Sequence, residues 1–297
     1  MTVSDTQLET WTQVPSSTKF KDTYAAVKEA LSKHGIFPED SRYEVYLQGS
    51  YACTTHIKED SDVDVVVELT TTYRAETKRL TSEEKARYDA DRTLATYLWA
   101  HFKRDVINAL CEHFGTSNVV EGNKAIKVFS KGTNLYADVI VCEQYKEYTK
   151  YPSYSEARFY KGIIFWSKDG KEIINFPKHH VNNGSEKNKV ASEYKPSIRM
   201  LKNLKRELVD AGTLGKSTAP SYFVESLLYN VPDERFGTNR RATVIGVLNW
   251  FHTLTDTEKT TLVCQNRIIP LFGLSDQQWN YEDARRLMWG VMELIKQ

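Results

Sequence analysis

The order of hydrophobic and polar residues predicts that the first half of the chain mixes helices and strands. Residues from Ser17 to about Lys33 are predicted to form a long helix that stops at Gly35. The apolar side chains of this helix recur at spacings of three and four: Phe20, Tyr24, Val27 and Leu31. The stretch "RYEVYLQGS" is typical of a strand that ends at a Gly-Ser turn, and "DVDVVVEL" is typical of a valine-rich strand. Residues 70–92 are charged and predicted to be irregular, whereas residues 93–114 have a helical pattern.

Two hairpins are predicted next, and helices dominate the rest of the chain. "KAIKVFSKGTNLYADVIVC" alternates on both sides of a "KGTN" turn, and "GIIFWSKDGKEIINF" turns at Asp169-Gly170. The polar segment "HHVNNGSEKNKVASEYKP" predicts a linker. We therefore expect an α+β fold with a mixed sheet and two domains, residues 1–181 with the long N-terminal helix and residues 182–297 as a helical domain.

Composition narrows the class of protein. Hydrophobic residues make up 40% and charged residues 27% of the 297 residues, which is typical of a folded chain. No apolar run approaches the ~20 residues that cross a bilayer, and "MTVSDTQLETWTQ" lacks the pattern of a secretory signal. We therefore expect a cytoplasmic protein without a membrane partner. The net charge of +1 argues against long nucleic acids as the main substrate. The cysteines are scattered and predict neither a disulfide framework nor a zinc site: Cys53, Cys111, Cys142 and Cys264.

Three acidic residues interrupt segments that otherwise predict buried strands. Asp62 and Asp64 are two residues apart, so on a strand their side chains share one face, and Asp138 interrupts the apolar run of "NLYADVIVC". Three carboxylates on adjacent strands can hold two Mg²⁺ ions, which is typical of phosphoryl or nucleotidyl transfer. The alternative is that the acids lie at a strand edge and face solvent.

The Gly49-Ser50 turn, the Asp-x-Asp strand and the later aspartate together resemble the polymerase-β-like nucleotidyltransferase superfamily. Within it, "LQGSYACTTHIKEDSDVDVVVEL" is similar to the cGAS/DncV-like nucleotidyltransferases. Further segments resemble the branch called clade E: "QLETWTQ", "INFPKHHVNNGSEKNK", "YKPSIRMLKNLKREL" and "APSYFVESLLYNVP".

This resemblance implies a bilobed enzyme with a central cleft that joins nucleoside triphosphates into a cyclic oligonucleotide for anti-phage (CBASS) signalling. It implies metal-ligand and catalytic roles for Asp62, Asp64 and Asp138, with Mg²⁺ as cofactor and Mn²⁺ as a substitute. Gly49 and Ser50 match the family's phosphate-contacting turn, and Gln48 beside them is a candidate nucleotide contact. A monomer, a separately encoded effector that binds the product, and no activation by DNA are also expected.

A basic stripe is predicted on the helix "YKPSIRMLKNLKREL", with a second, apolar stripe that seats the helix on a core. The cations are spaced by four, three and four: Lys195, Arg199, Lys202 and Arg206. By resemblance, Lys202 and Ser221 match residues that contact the triphosphate, and Lys195 and Arg199 are further nucleotide-binding candidates. The alternative is a solvated amphipathic face.

Base recognition is the last candidate function. The amide of Asn175 offers an acceptor and two donors that suit uracil. By resemblance to clade E relatives that use pyrimidine nucleotides through an active-site asparagine, the expected substrates are ATP and a pyrimidine triphosphate such as UTP. The alternative for Asn175 is a cap on the turn before Pro177. His179 and His180 are expected to point in different directions on a strand.

Two rival functions stay open. One is nucleotide transfer to an RNA end, a protein or a small molecule, and the other is a nucleotide sensor without catalysis.

Overall fold

The computed structural model describes residues 3–16, 18–33, 35–58 and 62–296. The chain divides into two compact units. The sheet unit contains the described residues of Ser17–Gln48 and Asp60–Pro177. The helical unit contains those of Met1–Ser16, Gly49–Glu59 and Lys178–Gln297. None of the described helices is long and apolar enough to span a membrane.

The sheet unit has a seven-stranded mixed sheet in which β1, β2, β5, β4 and β3 are neighbours in that order, and β6 pairs with both β5 and β7. Its strands are β1 (Tyr43–Leu47), β2 (Val63–Glu76), β3 (Val119–Glu121), β4 (Ile126–Ser130), β5 (Leu135–Lys150), β6 (Arg158–Trp166) and β7 (Glu172–Asn175). Only the pair β2 and β5 is parallel among these strands. Central strands buried on both faces carry continuous apolar runs, which explains the valines of β2: Val63, Val65, Val66 and Val67 are all buried.

The sheet unit contains the helices α2 (Lys19–Leu31), α4 (Ser82–Asp91) and α5 (Trp99–Phe114). Helix α5 packs through an apolar stripe. Phe102, Val106 and Leu110 repeat every four residues along α5 and are fully buried. The predicted first helix is thus confirmed as α2, although Ser17 lies outside the described residues.

Both predicted hairpins are confirmed. Ser130 pairs with Leu135 at the end of the first, and Trp166 pairs with Glu172 in the second. In that second turn Gly170 has a φ of +80°, a left-handed conformation that favours glycine.

The prediction that residues 70–92 are irregular is wrong. After a register shift between Leu69 and Tyr73, β2 continues along β5 to Glu76. A Thr81/Glu84 capping box then begins α4. This helix is held by an aromatic cluster that includes residues distant in sequence: Tyr88, Tyr148 and Tyr151.

The helical unit contains α1 (Asp5–Thr10), α3 (Gly49–Cys53), α6 (Pro177–Val190), α7 (Tyr194–Asp210), α8 (Ser221–Asn230), α9 (Arg240–Thr253), α10 (Asp256–Thr261) and α11 (Tyr281–Lys296). Pro177, the first residue of α6, belongs to the sheet unit. One hydrophobic cluster joins α1, α7, α8, α9 and α11. Its members include Leu8, Leu204, Leu227, Phe251 and Leu287. The α+β class with a mixed sheet and a helical C-terminal part is confirmed.

The predicted linker is instead helix α6. Its polar side chains find partners within the helical unit, because Asn183 donates to the backbone oxygen of Gln265 and Lys187 donates to that of Val231. Gly184 packs closely against Gln265, since a Cβ there would come within 2.2 Å of the Gln265 side chain.

The compact units also differ from the predicted contiguous division at residue 181. Residues 3–16 and 49–58 join the helical unit. Two arginines of the helical unit bind the segment 3–16. Arg241 donates to the backbone oxygen of Val3, and Arg199 donates to that of Thr12.

Candidate active-site residues

Strand register places two of the predicted acids side by side in the sheet unit. Asp64 on β2 is the parallel partner of Asp138 on β5, and Asp138 is the antiparallel partner of Lys127 on β4. Laterally paired residues point to the same face of a sheet. Asp64, Asp138 and Lys127 therefore lie side by side in a row across β2, β5 and β4, which we call the acidic row. Asp62 precedes the first residue of β2, so it is not on the strand as predicted.

Lys127 makes ion pairs with two of the three acids. Its Nζ donates to Asp62 Oδ2 at 2.8 Å and lies 3.9 Å from Asp138 Oδ1. Burial raises the pKa of Asp138, Lys127 opposes this rise, and the negative charge of Asp62 adds to it. The hydrogen bond to Asp62 raises the pKa of Lys127. The acids therefore lie in an environment that favours a neighbouring positive charge.

The chemistry of this set fits a hard divalent cation. Carboxylate oxygens are the ligands that Mg²⁺ prefers, and Asp138 is a half-buried acid whose charge a cation would stabilise. In this structure, however, the three aspartates do not bring their oxygens within 4.8 Å of one another. To hold a metal, Asp62 and Asp138 would have to exchange their contacts with the Lys127 ammonium for contacts with the ion.

A possible metal-ligand group lies instead in the helical unit, where Cys53, His180 and Glu225 are buried with ligand atoms within 4.8 Å of one another. It is the only such group among the residues that the structure describes. Glu225 is already neutralised, because Lys202 Nζ lies 2.5 Å from its Oε1 and His180 Nε2 lies 2.7 Å from its Oε2. Burial alone raises the pKa of Glu225, but Lys202 and His180 together lower it well below its usual range.

The Gly-Ser pair begins the five-residue helix α3. Gly49 has a φ of +65°, which explains the glycine there. Ser50 is half-buried, and its backbone oxygen accepts the N–H of Thr55 at 2.8 Å. Gln48 belongs to the sheet unit, where its N–H donates to the backbone oxygen of Asp64. Its side-chain Oε1 is buried and has no hydrogen-bond partner among the described residues.

The predicted basic stripe on α7 does not face outward at its centre. Arg199 and Lys202 are 6% and 4% exposed, and they act inside the helical unit. Burial lowers the pKa of Arg199 to about 10. Lys195 is half-buried with its Nζ 3.3 Å from Ser185 Oγ. Ser221 is the exposed first residue of α8. Nucleotide contacts by these four residues stay a prediction.

Asn175 is the last residue of β7, and its Oδ1 accepts the N–H of the next residue, Phe176, at 2.8 Å. The expectation that His179 and His180 lie on a strand is wrong, because both are on α6. His180 is buried with its ring stacked on Tyr222 at a centroid distance of 4.8 Å.

Three residues of these networks were not predicted from sequence: Lys127, Thr55 and Glu225. Glu225 carried a usable signal, since it is the lone charge in the apolar run "YFVESLL". Lys127 is identified only by the register of the hairpin.

Comparison with known proteins gives a consistent result over the whole chain. Residues 182–296 match the model of the cGAS/DncV-like nucleotidyltransferase C-terminal helical domain. A cyclic nucleotide synthase CdnE01 of Staphylococcus haemolyticus is 38% identical over 98% of both chains. The cyclic UMP-AMP synthase of Rhodothermus marinus is 40% identical and covers 97% of this chain and 96% of its own.

The solved structure of Rhodothermus marinus CdnE c-UMP-AMP synthase with Apcpp and Upnpp superposes with a TM-score of 0.89. It covers 99% of this chain and 97% of its own, at 37% identity. A cyclic dipurine nucleotide synthase of Elizabethkingia meningoseptica is 32% identical over 97% of this chain and 91% of its own.

Proposed function

This chain belongs to the cGAS/DncV-like nucleotidyltransferase family, and on that premise we propose that it joins two nucleoside triphosphates into a cyclic dinucleotide, releasing pyrophosphate at each bond. The observation that carries the proposal is the register that sets Asp64 directly beside Asp138, with Asp62 two residues earlier. Two carboxylates fixed side by side by backbone pairing are suited to hold the divalent cations that nucleotidyl transfer uses. The relatives that resemble this chain over nearly its full length are named as cyclic nucleotide synthases.

Asp62, Asp64 and Asp138 are proposed to hold Mg²⁺, with Mn²⁺ as a substitute. When bound, the metal would activate the attacking ribose hydroxyl and neutralise charge on the departing pyrophosphate. The protein supplies fixed carboxylates on β2 and β5, and the Lys127 ammonium balances two of the three acids when no metal is bound.

Gly49, Ser50, Lys202 and Ser221 are proposed to contact the triphosphate, with Gln48, Lys195 and Arg199 as further nucleotide contacts. The buried acceptor of Gln48 supports this role, because a buried carbonyl oxygen without a partner costs free energy that a ligand donor would recover. A direct contact from Lys202 would require its ammonium to leave Glu225.

ATP and UTP are the proposed substrates, with Asn175 as the candidate reader of uracil. The support is the likeness to the Rhodothermus marinus enzyme, at 40% identity and a TM-score of 0.89. The Elizabethkingia meningoseptica relative, named for dipurine products, is less similar at 32% identity. We further propose a monomer that serves anti-phage signalling in the cytoplasm, with a separate effector protein that binds the product.

The test is incubation of the purified protein with labelled ATP, CTP, GTP and UTP and Mg²⁺ or Mn²⁺, followed by phosphatase treatment and chromatography. Phosphatase-resistant product that disappears when ATP or UTP is omitted supports the proposal. Asp64→Asn is expected to abolish product, whereas Asp256→Asn, at a fully exposed acid, serves as the matched control. Only phosphatase-sensitive product from the folded wild type would contradict cyclisation and favour transfer to another acceptor.

A further inference from the structure

The helical unit contains a buried polar network that the acidic row does not use. Glu225 on α8 is its centre. Its Oε1 accepts the Thr55 hydroxyl at 2.6 Å and the Lys202 ammonium at 2.5 Å, and its Oε2 lies 2.7 Å from His180 Nε2. The Lys202 ammonium also donates to the Thr55 hydroxyl at 3.1 Å and to the Thr55 backbone oxygen at 3.2 Å. All three of its protons therefore have acceptors.

Two consecutive backbone oxygens after α3 are held by cations of α7. Arg199 Nη1 donates to the oxygen of Thr54 at 2.6 Å, and Lys202 donates to that of Thr55. Thr54 has a φ of +60°, an unusual conformation for a β-branched residue that the surrounding bonds must maintain. Because the Thr55 N–H returns to the Ser50 oxygen at 2.8 Å, the short segment from Ser50 to Thr55 is closed on itself.

Stability alone does not account for this arrangement. A buried ion pair recovers little more than the cost of removing its charges from water, and packed apolar side chains of similar volume often stabilise a fold as well or better. Hydrogen bonds do, however, fix direction and distance in a way that apolar contacts do not. The network combines a charge pair, a hydroxyl and two backbone oxygens on one segment, which is the composition expected of a device that sets position.

We infer that Glu225, Thr55 and His180 are positioning residues that, together with the Lys202 ammonium they hold, set the Gly49-Ser50 segment in the place from which it meets a nucleoside triphosphate. This inference rests on the proposed function. Glu225 does not itself meet the nucleotide. It acts through Lys202 and through Thr55, whose hydroxyl bridges both charged groups.

Thr55→Val is the decisive variant, because valine keeps the shape of threonine and removes only the bridging hydroxyl. The loss of a hydrogen bond to a charged group predicts about a tenfold higher Kd for a non-hydrolysable ATP analogue. Thr55→Ser restores the hydroxyl and is expected to return the Kd to within about twofold of wild type. The matched control is Val247→Ala, a buried change in the same unit on α9 that weakens the core without touching the network.

Hydrogen exchange at residues 49–58 is the second measurement, and it needs no nucleotide. Exchange there is expected to accelerate in Thr55→Val and to stay at the wild-type rate in Thr55→Ser and Val247→Ala. Unchanged affinity and unchanged exchange in a folded Thr55→Val would overturn the inference, as would equal effects of Val247→Ala. If the wild type binds the analogue but makes no cyclic product, the proposed function fails while both measurements still decide the role of the network. If the wild type binds no analogue, both proposals are overturned.

Discussion

Lys127→Met should tighten metal binding at the acidic row, because the Lys127 ammonium occupies positions beside two acids that a metal would take. Methionine keeps much of the aliphatic stem and removes the charge. In the wild type, a divalent cation must displace the ammonium from Asp62 or bind next to it, and both cost free energy. In the variant, the acids repel each other until the metal arrives, which favours binding.

The magnitude follows from distance and exposure. Two unit charges about 4 Å apart interact by about 1 kcal/mol in water, and Lys127 lies 3.9 Å from Asp138 Oδ1. The Lys127 side chain is 45% exposed, so screening by solvent keeps the effect near this lower limit. About 1 kcal/mol corresponds to about a fivefold lower Kd for the metal.

Direct titration of metal-free protein with Mn²⁺, followed by electron paramagnetic resonance of the free ion, measures this Kd without any turnover. The fivefold difference should shrink as salt rises from about 0.05 M to about 0.5 M, because the Debye length shortens. Lys131→Met in the same hairpin removes an equal but exposed charge and controls for net charge. An equal or higher Kd in Lys127→Met would refute the reasoning, and a higher Kd would show that Lys127 assists the metal.

Three further predictions concern the acids and the core. Asp138→Asn should lower the rate of product formation more than about 100-fold, since removing even a residue that touches a metal ligand indirectly costs about 10–100-fold. The same variant should have a higher melting temperature without metal, because burial raises the pKa of Asp138 and so disfavours its charged form. A lower melting temperature would contradict this account. Phe102→Ala should reduce the free energy of unfolding by about 3–5 kcal/mol, measured in urea, because Phe102 is fully buried, and a loss below about 1 kcal/mol would show that the site collapses. Folding lowers the pKa of Glu225, so its charge stabilises the fold at any pH above the ordinary carboxyl pKa of 4.5, and this stability is lost as the pH falls below that value towards the pKa of the folded state. The melting temperature of Glu225→Gln should therefore fall less steeply with acid than that of the wild type. Parallel curves would exclude the effect.

Local patterns predicted the elements that depend on neighbours in sequence. The valine run of β2 and the Asp169-Gly170 turn are of this kind, and both are present. The adjacency of Asp64 and Asp138 was also accessible, because burying an acid within an apolar strand costs free energy that a bound cation would offset. These signals are strong because side-chain alternation and turn conformation are properties of short segments.

Long-range partners account for what the sequence did not reveal. Helix α6 was mistaken for a linker because its polar side chains bind distant groups, as Asn183 binds the backbone of Gln265. The buried state of Lys202 follows from Glu225, which is 23 positions away in the chain and on another helix. A basic helix with an exposed stripe and one with a buried ion pair have the same periodicity, so periodicity cannot separate them.

The row formed by Asp64, Asp138 and Lys127 has a consequence for the timing of the proposed metal binding. Its backbone is set by ladders that β5 makes with β2 on one side and β4 on the other, and none of these bonds involves a metal ligand atom. Side-chain rotation takes place in nanoseconds, whereas strand formation belongs to folding. Under the proposed function, metal binding at this row would therefore need only rotation of acidic side chains on strands that already exist, and the folded chain would follow changes in metal concentration without refolding.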